Sequence, residues 1–200
     1  MSNRIKGLYT GHPGIILAAF LMLDPSIERI LTTTHMVPGR VGLHQSALLV
    51  LLARQYNIPG ARFCNIGTLQ GYSAALLAAG APNAQVVALE PDPKRAQISR
   101  KNLNGLSNAE VLQVKSWDYP GTDWTLVFVD GAHRECARDL IYYERLVPGG
   151  LILFHDYSNH KFPEVRNAVN SLLVRLGKAE PDIEVRADER GGLAGVYKDS

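Results

Sequence analysis

The 200-residue chain has only two cysteines, Cys64 and Cys136, too few for a disulfide scaffold. One falls in a candidate strand and the other in a helical pattern, so both read as free thiols in a reducing, cytoplasmic setting. Long apolar runs are also missing. Ile15 to Leu23 is unbroken for nine residues, whereas a membrane span needs about 20. Arg4 and Lys6 stand upstream, as in a secretion leader. However, Pro13-Gly14 interrupts the approach and Asp24-Pro25 follows without a small-x-small cleavage site. The segment reads instead as a buried or subunit-contacting helix, which makes a homo-oligomer reasonable and a membrane partner not. Charge of one sign is lacking too: the formal net charge is +2, with no basic stripe to track a nucleic acid. There are no internal repeats and no low-complexity segments. What remains, 46% hydrophobic and 20% charged, is one ordinary globular unit. A chain of this size buries roughly 70% of its unfolded surface without staples.

The most informative stretch is Ala61 to Ser73, ARFCNIGTLQGYS. An apolar run enters Asn65-Ile66-Gly67-Thr68-Leu69-Gln70-Gly71 and an alanine- and leucine-rich segment follows, the pattern of a buried strand turning tightly into a helix. Two glycines allow positive φ and a close ligand, and the N–H groups at the helix start face whatever lies above the strand. The dinucleotide fingerprint G-x-G-x-x-G is absent, because Leu69 stands at its second glycine, and no G-K-[ST] follows. The loop suits a ligand with a compact zwitterionic end better than a pyrophosphate, although a glycine-lined turn that binds nothing has the same appearance.

Downstream the chain alternates strand and helix. Gln85 to Glu90, Ala109 to Val114, Trp124 to Asp130 and Leu151 to Asp156 read as further buried parallel strands. Asp92 caps a helix with Pro93 at its first position. A helix after the fourth strand has Ala137, Leu140 and Ile141 at core spacing and ends at Pro148-Gly149-Gly150. Another opens at Pro163, with Val165, Ala168, Val169, Leu172 and Leu176 in one stripe. Ile183 to Ala187 and Leu193 to Tyr197 are joined too briefly for a crossover helix and so pair antiparallel. Upstream, Pro13 to Leu23, a helix from Asp24-Pro25, and Gly42 to Tyr56 form a helical cap. The division expected is 1–58 as a helical appendage and 59–200 as one compact α/β unit.

An open α/β sheet places its ligand at the carboxyl ends of the strands, and those ends can be read one by one. The second strand ends in Glu90, 23 residues beyond Gly67, where an acid can accept from both ribose hydroxyls. The third leads to Ser116-Trp117-Asp118, where a polar side chain can meet an adenine edge; Trp117 either stacks on the ring or packs on the surface. The fourth ends in Asp130-Gly131-Ala132-His133 and the fifth in His155-Asp156-Tyr157. Neighbouring strands lie ~4.8 Å apart, and two carboxylates about 5 Å apart repel by roughly 3 kcal/mol at an effective dielectric near 20. Asp130 and Asp156 therefore need a cation such as Mg²⁺, a bridging proton or a positive substrate between them. In the other reading Asp130 orders its own turn and Asp156 bonds a cationic cofactor or the backbone. His133 and His155 are the candidate general bases. His12 and His44 read as structural, while His35 and His160 sit in loops that can border the site.

Asn65-Ile-Gly67-Thr-Leu-Gln-Gly71-Tyr-Ser73, Glu90, Val129-Asp130-Gly131-Ala132-His133, Leu146-Val-Pro148-Gly149-Gly150 and His155-Asp156-Tyr157 together resemble class I S-adenosylmethionine-dependent methyltransferases. Within that class the likeness is to the small family carrying D-G-x-H and P-G-G…H-D-Y, related to the metal-assisted O-methyltransferases, and it runs from about residue 40 to the end. The resemblance implies a Rossmann-like seven-stranded mixed sheet ordered 3-2-1-4-5-7-6, its last strand antiparallel, with S-adenosylmethionine over strands one to four. Gly67 and Gly71 would flank the methionine part, Glu90 would hold the ribose, and Ser116 and Trp117 would lie near adenine. Asn65, Thr68, Tyr72, Ser73, Pro91 and Asp130 complete the expected cofactor-binding set. Asp130 and Asp156 fall where catechol-type and cephalosporin-type relatives place metal ligands. Those relatives have a further acid or amide beside the second aspartate, where this chain has His155 and Tyr157. Asn65 stands where the family usually has an acid. The expected activity is methyl transfer from S-adenosylmethionine to a hydroxyl of a small-molecule acceptor, with His155 or His133, or a divalent cation, preparing the nucleophile. The alternatives are an S-adenosylmethionine-binding protein without catalysis, an NAD-dependent oxidoreductase and, weakest, an RNA methylase.

Overall fold

A computed structural model describes residues 25–38, 41–185 and 191–199. Residues 1–12 with His12, the apolar helix expected over Pro13 to Leu23, and Asp188-Glu189-Arg190 of the last turn lie outside them. Two helices come first, α1 (Pro25–Thr34) and α2 (Leu43–Gln55). The α/β succession is then β1 (Arg62–Ile66), α3 (Tyr72–Gly80), β2 (Gln85–Leu89), α4 (Pro93–Asn102), β3 (Ala109–Leu112) and β4 (Trp124–Val129). Two one-turn helices follow, α5 (Cys136–Asp139) and α6 (Ile141–Glu144), before β5 (Leu146–His155), α7 (Pro163–Arg175), β6 (Ile183–Val185) and β7 (Leu193–Tyr197).

The sheet order is β3-β2-β1-β4-β5-β7-β6, parallel from β3 to β5, with β7 antiparallel to both β5 and β6. The order and the antiparallel final strand are those expected. Burial on both faces explains the apolar strands: Leu126 and Phe128 enter one layer and Val127 and Val129 the other. The first layer is closed by α1, α2, α3 and Ala96 of α4, the second by α5, α6 and α7. Alanines of α3 let α2 come close. A Cβ on Gly80 would stand 3.0 Å from the Ala53 Cβ and 3.2 Å from the Val50 carbonyl. Among the described residues no helix is long and apolar enough to cross a membrane.

Register decides what meets at the rim. Ile66 is level with Val129, and Val129 with Phe154, so the residues following each strand share one edge. Two expectations are corrected here. The long helix after β4 is broken into short turns: Ala137 and Ile141 are exposed, while Cys136, Asp139, Tyr142 and Tyr143 are buried. Of the three apolar residues chosen by spacing only Leu140 packs against the core, because a buried acid, Asp139, takes a core position by bonding to Ser116. Pro148-Gly149-Gly150 also does not end a helix; it lies inside β5. Gly149 has φ +76°, and the pairing with β4 slips there, Trp124 facing Leu146 and Leu126 facing Leu151. A Cβ on Gly150 would stand 2.9 Å from the Val147 carbonyl and 3.0 Å from that of Trp124.

Candidate active site

A cleft of about 950 Å³ opens along the carboxyl ends of β1 to β5. Of the residues expected at the site, Gly67, Glu90, Pro91, Ser116, Trp117, Asp130, His133, His155 and Asp156 line it. Asn65, Thr68, Gly71, Tyr72 and Ser73 do not line it. Asn65 is fully buried and accepts from the Ser73 hydroxyl at 3.2 Å, leaving its own amide nitrogen without a partner. Tyr72 shares a 3.2 Å hydrogen bond with Ser46 of α2. His35, His44 and His160 are exposed and do not line the cleft.

The glycine loop is packed closely by its neighbours. Gly67 has φ +78°, and a Cβ there would run into the Asp130 carbonyl oxygen and the Gly131 Cα, with the Asp130 carbonyl carbon 2.7 Å away. Glycine is therefore required by the approach of the β4 loop, whatever fills the cleft. The loop amides are committed as well. Gly67 and Thr68 donate to the Leu89 carbonyl at 3.0 and 3.2 Å, and Leu69 donates to Glu90 Oε2 at 2.9 Å. Glu90 Oε1 accepts from the Asp92 amide at 3.1 Å. The acid that ends β2 thus ties down two loops, and each of its oxygens keeps a lone pair for a ligand hydroxyl.

At the other end four side chains converge. His155 Nδ1 lies 3.2 Å from Asp130 Oδ1 and 3.2 Å from Asp156 Oδ2, neither contact aligned as a hydrogen bond. His133 Nε2 is 2.9 Å from Asp156 Oδ2 and 4.0 Å from Asp130 Oδ1, and its ring stacks on Phe162 at 3.8 Å. Asp156 is held at φ +62°, a left-handed conformation unusual outside glycine, and accepts the Asn159 amide at 2.9 Å. The expected carboxylate pair is present, and imidazole lies between its members.

Gln45 of α2 gave no sequence signal. Its Oε1 accepts the Gly42 N–H at 3.1 Å and its Nε2 donates to the Gly191 carbonyl at 2.5 Å. Those two bonds fix which way the amide faces, so the 3.1 Å contact between Oε1 and His155 Nε2 is donated by the imidazole. Burial works against a charge on His155, but the Asp130 and Asp156 contacts outweigh it and push its pKa up to about 10. Burial likewise opposes ionisation of Asp156. The His133 hydrogen bond, the close His155 imidazolium and the Asn159 amide prevail, holding its carboxyl well below the usual carboxylate range. At neutral pH the chain supplies its own cation between two acids.

Ligand atoms of Asp130, His133 and Asp156 lie within 4.8 Å of one another, a donor set that fits a divalent ion accepting imidazole as well as carboxylate. Mg²⁺, which prefers oxygen, fits it less well. The Asn159 side chain gives its nitrogen to Asp156 at 2.9 Å and accepts the Lys161 amide on its oxygen at 3.1 Å.

Residues 64–157 match a family described as a methyltransferase domain. The catechol O-methyltransferase of Mycobacterium tuberculosis is 33% identical over 124 residues, which are 58% of this chain and 56% of that protein. The match therefore spans little more than half the length of that relative. Among solved structures, a putative caffeoyl-CoA O-methyltransferase from Staphylococcus aureus aligns with a TM-score of 0.69 at 19% identity, covering 93% of this chain and 98% of that one. The O-methyltransferase TomG from Streptomyces achromogenes, solved with S-adenosylmethionine, aligns with a TM-score of 0.67 at 20% identity, covering 92% and 95%. These structural likenesses are of fold.

Proposed function

We propose that the chain is a class I S-adenosylmethionine-dependent methyltransferase that methylates a hydroxyl oxygen of a small molecule, a reading supported by the methyltransferase-domain match over residues 64–157 and by the sheet order. The observation that carries the reading is the imidazole–carboxylate cluster at one end of a cleft whose other parts suit an adenosyl group. S-adenosylmethionine, when bound, supplies a methyl group already activated on a sulfonium. Glu90 is the acceptor for the ribose hydroxyls, and Trp117 with Ser116 borders the base. The proposed division gives the cofactor to residues 59–200, and the preceding part contributes α1, α2 and the residues Val41, Gly42 and Leu43 that reach the cleft.

His133 is the general base. Its Nε2 faces Asp156, which orients the ring, and its partial exposure leaves Nδ1 available to an acceptor hydroxyl. His155 is boxed in by Gln45 and the two acids, is 6% exposed, and acts by holding charge and position. With the cofactor bound, its methyl group would pass to the acceptor oxygen and the S–C electron pair would stay on sulfur, while His133 takes the hydroxyl proton. Alignment supplies most of the rate, because a well-oriented pair avoids the entropy cost of encounter.

The convergence of Asp130, His133 and Asp156 supports a second reading, in which these residues hold a divalent ion that lowers the hydroxyl pKa. The test is turnover on a panel of phenols and aliphatic alcohols, followed by S-adenosylhomocysteine release, before and after chelation. Turnover that survives EDTA and collapses in His133→Ala supports the base reading. Turnover abolished by EDTA and restored by an added ion supports the metal reading. Tight calorimetric binding of S-adenosylmethionine with no turnover on any acceptor would leave a binding protein.

A further inference from the structure

Asp139 is a buried acid of the cleft that the reaction above leaves idle. It is 2% exposed, sits at the end of α5, borders the cleft with Ser116 and Trp117, and also lines a small crevice with Asp130, His133 and His155. The Ser116 hydroxyl donates to its Oδ1, and the Tyr142 hydroxyl pins the Ser116 carbonyl at 2.8 Å. No ion pair to Asp139 occurs among the described residues. The adjacent guanidinium of Arg138 lies over the Trp117 ring at 4.7 Å and pairs with Glu135 at 3.2 Å. The second oxygen, Oδ2, has no hydrogen bond from the described residues and stands 4.0 Å from where a Cβ on Gly131 would be. Burial raises the carboxyl to about 6, the Ser116 hydrogen bond opposing it. So deep a carboxylate with one donor is under-satisfied, and a donor on a ligand would complete it.

Two acceptors face the cleft here. Because its proton is given to Asp139, the Ser116 hydroxyl can only accept on its open side, and Oδ2 of Asp139 accepts as well. Such an edge favours a base that presents an amino group and disfavours one that presents a carbonyl. Resting on the reading that the cleft holds an adenosyl group with its ribose on Glu90, we propose that Asp139 is the specificity-determining residue that reads the 6-amino group of adenine. Ser116 acts through Asp139 as a positioning residue.

The experiment is calorimetric binding of S-adenosylhomocysteine and S-inosylhomocysteine, which differ in a 6-amino against a 6-oxo group and in the N1 proton that accompanies the latter, to the wild-type chain and to Asp139→Asn. The wild-type protein is expected to prefer the adenosyl ligand by at least about 30-fold. In Asp139→Asn the preference should fall below about 3-fold, mainly through tighter inosyl binding, since a carboxamide can turn its NH₂ toward a carbonyl. A merely structural role would weaken both ligands alike and leave the ratio unchanged, which would overturn the inference. The wild-type ratio also decides alone: a preference below about 3-fold overturns it whether or not the variant folds. Failure of the wild-type chain to bind S-adenosylhomocysteine at all would instead defeat the cofactor reading beneath it.

Discussion

The bridging charge on His155 can be read from outside through pH. Its pKa stands at about 10 in the folded chain against an ordinary 6.5. A proton held more tightly in the folded state stabilises the fold fully below pH 6.5, and that contribution is lost as pH rises through about 10. At roughly 1.4 kcal/mol for each pH unit, the interval amounts to about 5 kcal/mol as an upper figure. The perturbation is His155→Gln, which keeps a donor for Gln45 but cannot hold the charge. The assay is urea unfolding of both proteins between pH 6 and 10 in EDTA, taking the difference so that titrations common to both cancel. The wild-type advantage should shrink by at least about 2 kcal/mol between pH 6.5 and 10. A difference that stays level over that range would refute a protonated imidazole between Asp130 and Asp156.

Gly67→Ala forces a left-handed alanine against the β4 loop and is expected to destabilise by about 2–4 kcal/mol. Gly60→Ala, also at positive φ but with open space around it, should cost less, and equal thermal shifts would remove the close-approach explanation. Glu90→Gln should weaken S-adenosylhomocysteine binding by at least about tenfold in calorimetry, the loss of a charged acceptor being worth about 1.5–3 kcal/mol; unchanged affinity would remove the ribose role. His133→Ala should lower kcat by about 10²–10⁴ while cofactor affinity stays within about 3-fold. A loss carried by affinity alone would move the base elsewhere.

Much of this was legible in the chain. Continuous apolar strands such as WTLVFV can be buried on both faces only in an interior parallel sheet, and their polar terminal residues mark the rim. That is why Asp130, His133, His155 and Asp156 could be named before their distances were known. Gln45 could not be, because it meets His155 across 110 positions and its helix reads only as an amphipathic cap. Asp139 was hidden for a different reason: periodicity counts apolar residues, and the buried position on α5 is held by an acid that takes one hydrogen bond, from Ser116. Gly67 was identified correctly as a glycine that must be one, yet the atoms that demand it belong to the β4 loop. Pro148-Gly149-Gly150 carries the same turn chemistry whether it stops a helix or bulges a strand, and only pairing with β4 and β7 separates the two.

A crystal structure with S-adenosylhomocysteine tests the arrangement at its root. The expected result is ribose hydroxyls on the Glu90 carboxylate, the base against Ser116 and Asp139, and the sulfur turned toward His133. A ligand seated away from the ends of β1 to β4, or one with its sulfur facing away from the imidazole cluster, would contradict it.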